Sequence, residues 1–421
     1  MTNNQKNILL TGTSSGIVKS TALYLAQKHC FLFLIVMCFI TNINAQSIDS
    51  KHVVIDGKIF TGNILAHDKE VSSFLLDGSH NIYSLAVGYR TLPSDSSQIA
   101  SDFNYPIFGL GLSMADFGRV KMTENSHLGN VYTLFGFFDR TIFRVNRFRM
   151  NYRFETGLSY ATNPYNPISN PTNEFVSSPI MVYVGIGVGL HYRITNQIEL
   201  GLGADLKHYS NGRLGMPNKG MNISGLSAQL QYDLTPKTEV PTRMHSGNFD
   251  KKWEYHITAG TGLQKSYAEW QIYAKSQPNP ELKKIRYKSY FKYSLSGDAM
   301  YRFSEKYSLG VGLDIFATPY TDKLRQWDEI LHQRQAEKYD PISVGISLNQ
   351  EINYKRFALA ASIGYYAHHQ LGIEENLGHI YQKAGVRYYF PKTNGLFIGY
   401  SIKAHSFRLA EYLEFSIGKK F

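Results

Sequence analysis

The feature that most constrains the fold of this chain is an alternation of apolar and polar residues that recurs from about residue 82 to the C-terminus. Successive side chains of a strand point to opposite faces, so this alternation gives each strand one apolar face. Segments of about 10 to 13 residues with glycine or charge on the other face are typical of membrane-spanning strands. The clearest examples place apolar residues at Phe148, Met150, Tyr152 and Phe154, at Ile180, Val182, Val184 and Ile186, and at Ile198, Leu200, Leu202 and Ala204.

The alternation predicts an all-β fold, a single transmembrane antiparallel up-and-down β-barrel of about 14 to 16 strands over residues 46–421. Fifteen segments fit the pattern clearly. Because barrels of this class have an even number of strands, either residues 52–65 supply one more or the segment near 130–140 is not a strand. A large soluble β-sandwich with one buried face is the alternative interpretation.

The composition favours the membrane. The chain holds 30 Tyr, 25 Phe and 35 Gly with a mean hydropathy of −0.27, which suits a barrel with aromatic belts and a polar interior rather than a bundle of apolar helices. The final Phe421 is in phase with Ile417 and Phe415, and this ending resembles the C-terminal signal of bacterial outer-membrane barrels. We therefore expect a multi-pass protein of the bacterial outer membrane.

Charge and cysteine usage exclude several kinds of partner. The net charge is +11, but the basic residues are interleaved with strand positions rather than clustered, which disfavours nucleic acid. Both cysteines, Cys30 and Cys38, lie in an N-terminal apolar stretch, so the rest of the chain holds neither a disulfide nor a thiolate metal site. No cluster has the spacing of metal ligands, and we expect neither a metal nor a cofactor.

Residues 7–28 resemble the opening strand, glycine turn and helix of short-chain dehydrogenases. Gly12 and Gly16 fit that pattern, but its third glycine falls at Val18, whose side chain stands where the backbone should approach a pyrophosphate. No βα repeats follow, and a phosphate loop is also excluded because no glycine precedes Lys19. Residues 1–28 are therefore predicted to be an unrelated leader, with no nucleotide bound.

Residues 29–45 have the pattern of a signal peptide. A basic flank at Lys28 and His29 precedes an apolar run of about a dozen residues, and Ala45 precedes Gln46 at the expected cleavage point. The run is too short for a comfortable membrane span.

The connections between strands set the orientation of the barrel. Short turns belong in the periplasm and long loops outside, so strand 198–210 runs outward and ends at the external surface. The connection at 235–251 is an exception, because it is a long connection on the periplasmic side, where short turns are expected. The interior parity predicts a basic stripe of Arg147, Arg149 and Arg153 in the lumen, paired with carboxylates such as Glu155, Glu199 and Asp205.

A nucleophile and a base stand two residues apart at the end of that strand. His208 and Ser210 share the even parity of the apolar, lipid-facing side chains, and Asn222 shares that face of the next strand, 222–234. Polar groups facing lipid are costly unless they function or lie at headgroup depth. Because a histidine can activate a serine, we expect a substrate lipid whose ester lies at the membrane interface.

The extended motif His208-x-Ser210-Asn211, five residues, then Pro217-Asn218-x-Gly220 closely resembles the active-site motif of the lipid A 3-O-deacylase family, also called acyloxyacyl hydrolases. Weaker similarity extends over about 50–235, where the stretches 157–165 and 170–173 look like the longer Bacteroidetes-type members. Residues 250–421 have no counterpart in the short members.

The resemblance implies roles for the motif. Ser210 is the expected nucleophile and His208 its base, while the family's third member, a glutamate, falls at Asn222. An amide can orient an imidazole by hydrogen bonding but cannot stabilise the imidazolium by charge. Asn211 and Asn218, with the backbone N–H groups of the loop Gly212 to Gly220, are candidates for an oxyanion hole, and ordinary turn chemistry is the alternative role for the two asparagines.

The expected function is therefore that of an outer-membrane serine esterase that removes an ester-linked acyl chain from lipid A, with lipopolysaccharide and membrane lipid of the outer leaflet as its partners. The alternative is a non-catalytic barrel, porin-like or structural, that keeps the motif as a relic.

Overall fold

The computed structural model describes residues 53–66, 69–92, 98–235, 249–275, 278–279, 281, 288–406 and 409–421, all of which belong to one compact unit. The predicted leader, 1–28, and signal peptide, 29–45, lie outside the described residues. The strands are β1 (Val53–Ile64), β2 (Leu75–Asp77), β3 (Ser79–Arg90), β4 (Ile107–Asp116), β5 (Lys121–Met122), β6 (Asn130–Val145), β7 (Phe148–Ala161), β8 (Ile180–Arg193), β9 (Ile198–Ser210), β10 (Met221–Asp233), β11 (Lys252–Gln264), β12 (Tyr290–Ser304), β13 (Tyr307–Ala317), β14 (Ile342–Tyr354), β15 (Phe357–His368), β16 (Ile380–Tyr389), β17 (Leu396–His405) and β18 (Leu409–Lys420).

Short helices lie between the strands. They are α1 (Lys69–Phe74), α2 (Gln98–Asp102), α3 (Tyr267–Trp270), which continues as a π-helical turn over Gln271–Lys275, and α4 (Thr321–His332), with a 3₁₀ turn at Thr123–Asn125. None of the helices in the described ranges has the length and apolar character that a bilayer span requires.

The strands close into two barrels of eight. The first has the order β1-β10-β9-β8-β7-β6-β4-β3 and closes where β3 pairs with β1, while β2 and β5 form a separate two-stranded sheet. The second follows chain order from β11 to β18 and closes where β18 pairs with β11. All of these pairings are antiparallel, so the predicted class of fold is confirmed.

The number of barrels differs from the prediction. The two rings together contain sixteen strands, within the predicted range, but each ring closes on itself where the sequence predicted a single barrel. Both uncertain segments are strands, since β1 lies within 52–65 and β6 covers 130–140. The long connection after β10 joins the two barrels; its residues 236–248 lie outside the described part.

The lumen of the first barrel is filled by ion pairs, as expected for a ring of eight strands. Arg149 contacts Asp139 at 2.9 Å and Glu199 at 3.1 Å, and Arg153 contacts Asp56 at 3.0 Å. These arginines therefore lie in the interior as predicted. Arg147 does not, because it lies exposed in the tight turn between β6 and β7, where the strand parity no longer applies.

The second lumen is also filled. Buried ion pairs join Lys403 to Glu411 at 2.6 Å and Lys383 to Glu414 at 2.7 Å, and the second pair lines a cavity of about 50 Å³. The outward faces of both barrels carry the apolar side chains, among them Leu202, which is 72% exposed. A continuous apolar exterior of this kind is what a membrane-spanning barrel presents to lipid.

The two barrels contact each other through their sides and their loops. Thr156 on β7 and Tyr400 on β17 share a hydrogen bond of 2.8 Å between hydroxyl groups. A second contact lies at the end of β14, where the centroid of the Tyr354 ring lies 5.4 Å from that of the Phe103 ring and 5.2 Å from that of the Phe138 ring.

Candidate active site

The hairpin of β9 and β10 positions the histidine and its partner. The register places His208 directly opposite Asn222, and both side chains have the outward parity of the neighbouring exposed leucines. Nδ1 of His208 lies 2.7 Å from Oδ1 of Asn222. An amide oxygen can only accept, so Nδ1 carries the proton in this hydrogen bond.

Ser210 ends β9 and has the same outward parity, but only 2% of its surface is exposed. The sequence predicted that Ser210 faces lipid. This prediction is wrong, because the loop 211–220 covers the Ser210 hydroxyl. The backbone N–H of Gly212 and the side-chain amide of Asn218 each donate to Oγ at 3.2 Å, and Oγ lies 3.4 Å from Oδ1 of Asn218. Two N–H donors thus converge on the serine oxygen.

The two asparagines of the loop have different contacts. The side-chain amide of Asn211 donates to Oγ of Ser177 at 2.8 Å, which ties it to the loop between β7 and β8. The backbone N–H of Asn211 donates to Oδ1 of Asn218 at 3.3 Å. Asn218 is therefore the amide directed at Ser210, whereas the side chain of Asn211 anchors the loop.

Gly212 and Gly220 have backbone conformations that favour glycine and that the loop 211–220 depends on. Their φ angles are +58° and +67°, a left-handed conformation that side chains disfavour. A Cβ on Gly220 would lie 3.1 Å from Cε1 of His208, so this glycine also lets the backbone approach the imidazole closely.

A charged cluster surrounds the loop. Glu70 on α1 pairs with Lys219 and Lys275, and Lys275 also lies 3.4 Å from Glu174. Partial burial acts to raise the pKa of Glu70, but hydrogen bonds and charge from the two lysines outweigh it and lower this pKa below its ordinary value. Burial raises the pKa of Glu174, and the positive charge of Lys275 offsets only part of this increase.

The second barrel supplies neighbours that sequence reasoning missed. Arg213 pairs with Glu375, Met216 packs in a cluster with Trp270, and a Cβ on Gly212 would lie 3.0 Å from Cβ of Leu413. These partners are far away in sequence, so the motif carried no signal for them. Within the part of the chain that the structure describes, no three His, Cys, Asp or Glu residues are grouped as metal ligands.

Two family models match this chain. Residues 85–231 match the family described as lipid A 3-O-deacylase (PagL), and residues 253–421 match the family described as acyloxyacyl hydrolase, C-terminal domain. Together the two matches cover most of the chain. No curated protein matches it.

Among solved structures, the outer membrane enzyme PagL is 17% identical and covers 41% of this chain and 97% of its own, with a TM-score of 0.27. The COG4313 outer membrane channel from Pseudomonas putida F1 is 9% identical, covers 90% of this chain and 100% of its own, and has a TM-score of 0.21.

The family matches and the paired antiparallel barrels define the class of this protein: it is an outer-membrane β-barrel hydrolase of ester bonds. Within that class the chain belongs to the lipid A 3-O-deacylase family, with an acyloxyacyl hydrolase C-terminal domain as its second barrel.

Proposed function

We propose that this protein is a serine esterase that hydrolyses an ester-linked acyl chain of lipid A in the outer leaflet. The observation that carries the proposal is the grouping of His208, Asn222 and Ser210 on the outward face of one hairpin, beside two N–H donors. A hydrolase acting on a lipid needs its catalytic groups on the side of the barrel that the lipid contacts. The family match to lipid A 3-O-deacylases supplies the substrate class.

Ser210 attacks the ester carbonyl carbon through Oγ, and His208 takes the hydroxyl proton. Because Nδ1 of His208 is bonded to Asn222, the nitrogen that accepts this proton is Nε2. The tetrahedral intermediate then collapses: the bond from carbonyl carbon to alkoxy oxygen breaks, and the imidazolium gives its proton to that oxygen, which leaves as a hydroxyl group of the sugar. Water, activated by the same histidine, releases the fatty acid from the acyl-enzyme.

The oxyanion of each intermediate needs donors fixed in advance. The N–H of Gly212 and the side-chain amide of Asn218 meet this requirement, because both already point at Ser210 at 3.2 Å. The carbonyl oxygen takes over these hydrogen bonds as it becomes the oxyanion of the tetrahedral intermediate.

The exterior beside the site suits acyl chains. Leu202, Leu206 and Leu226 project from β9 and β10 with 56–72% of their surfaces exposed, below His208 and Asn222 on the same face. Chains that lie along this apolar band bring the ester linkage to the level of Ser210.

The test is mass spectrometry of lipid A from cells that express the wild type, Ser210→Ala or Ser224→Ala. Ser224 has the same outward parity on β10 and serves as the matched control. We expect the wild type and the control to remove one acyl chain, and Ser210→Ala to slow this by on the order of 10⁴-fold or more. An unchanged acyl pattern with the folded wild type would overturn the proposal.

A further inference from the structure

Arg213 lies in a loop of the first barrel, but its side chain contacts the second barrel. It follows Gly212 in the loop over the catalytic serine, yet it is only 6% exposed, because its guanidinium forms a two-pronged ion pair with Glu375. Nη2 lies 2.9 Å from Oε1 and Nη1 lies 3.3 Å from Oε2. Glu375 belongs to the connection between β15 and β16. A planar guanidinium held by both oxygens is fixed in orientation as well as position.

The backbone of Arg213 is constrained too. Its φ is +63°, and a residue with a side chain stays in this region only where its surroundings determine it. Its carbonyl accepts a hydrogen bond of 2.7 Å from the backbone N–H of Lys265, directly after β11. The second barrel therefore holds both the main chain and the side chain of this residue.

Other residues of the second barrel hold the Glu375 carboxylate in place. Nζ of Lys292 lies 3.8 Å from the carboxylate, and the side-chain amide of Gln264 donates to it at 3.4 Å. Burial acts to raise the pKa of Glu375, but Arg213 and Lys292 outweigh it and lower the pKa below its ordinary value. Lys292 is fixed in turn by Glu411 at 2.5 Å.

Apolar contacts reinforce the same attachment. Met216, in the middle of the loop, packs with Trp270 and Ala274 of the helical segment that follows β11. Beside them, the backbone of Gly212 runs against Leu413 of β18. Both halves of the loop thus rest on the second barrel.

We propose that Arg213 is a positioning residue and that the second barrel, through Glu375, holds the N–H of Gly212 at Ser210. The inference rests on the proposed function, in which this N–H stabilises the oxyanion. A donor that matters only in the transition state acts on kcat, so loss of the ion pair lowers kcat and leaves KM nearly unchanged.

The experiment compares full-length wild type with Arg213→Ala, Arg213→Lys, Glu375→Gln and the double variant Arg213→Ala with Glu375→Gln. Tyr400→Phe is the control, since it removes another contact between the barrels, at Thr156, away from the loop. Hydrolysis of lipid A in detergent gives kcat and KM. Hydrogen exchange of the peptide over 209–220 reports the loop independently of activity, and heat-modifiable gel mobility reports folding.

We expect Arg213→Ala and Glu375→Gln to lower kcat about 10- to 100-fold with KM within about threefold, and to speed exchange in the loop. Arg213→Lys keeps the charge without the fork and should recover part of the rate. Because the two residues act through each other, the double variant should be no slower than the slower single variant. Tyr400→Phe should match the wild type.

Independent, multiplying effects in the double variant would overturn the inference, and so would an unchanged kcat or a change confined to KM. Failure of the proposed function is distinct, because then the wild type itself shows no hydrolysis dependent on Ser210. In that case unchanged exchange in Arg213→Ala still overturns the claim that this residue holds the loop.

Discussion

The resemblance of the motif to the lipid A 3-O-deacylase family implies a glutamate at the position of Asn222, whose oxygen lies 2.7 Å from Nδ1 of His208. The amide orients the ring but adds no charge to stabilise the imidazolium. Asn222→Glu should therefore raise kcat for lipid A hydrolysis, by about tenfold or more, as measured by mass spectrometry of released fatty acid. Asn222→Ala should lower kcat by a similar factor. An unchanged or lower rate for Asn222→Glu would show that position 222 does not orient the base.

At the scale of single residues, strand parity was enough to predict the shared outward face of His208 and Asn222, because a strand fixes the direction of every second side chain. It could not predict the burial of Ser210, which depends on the fold of the loop 211–220. Nor could it predict the partner of Arg213, because Glu375 lies 162 positions away in the chain. Contacts that arise only from packing leave no local pattern.

The loop 211–220 is the element whose conformation the site depends on most. Gly220 combines a φ of +67° with the close approach to His208, so a side chain there meets both backbone strain and the imidazole. Gly220→Ala should lower kcat about tenfold and cost about 1–2 kcal/mol of stability. Kinetics on lipid A and urea unfolding in detergent check the two effects. Gly57→Ala is the control, because a Cβ there meets no atom within 4 Å; equal effects of the two substitutions would contradict this role.

At the scale of elements, alternation identified the strands but not their closure. A strand's pattern shows which face meets lipid, not which neighbour completes the ring. β10 is followed in the chain by β11, yet it pairs with β1. The informative signal was the long connection at 235–251: a single up-and-down barrel joins neighbours by short periplasmic turns, whereas a link between two closed barrels has no such restriction.

At the scale of the whole molecule, the buried pair of Arg213 and Glu375 links the barrels and ties their attachment to pH. The pKa of Glu375 is lowered in the folded protein from an ordinary value of 4.5. A lowered carboxyl pKa contributes stability that is fully present above 4.5 and is lost as the pH falls through the folded value.

Glu375→Gln should therefore unfold more easily than the wild type at pH 7, by about 3 kcal/mol, because the buried Arg213 loses its charged partner. Below pH 4.5 the difference should shrink as Glu375 in the wild type takes up a proton, while the glutamine variant lacks this group. Urea unfolding in detergent at pH 7 and at pH 3.5 measures both differences. A gap that stays constant between the two pH values would show that ionised Glu375 does not stabilise the folded molecule.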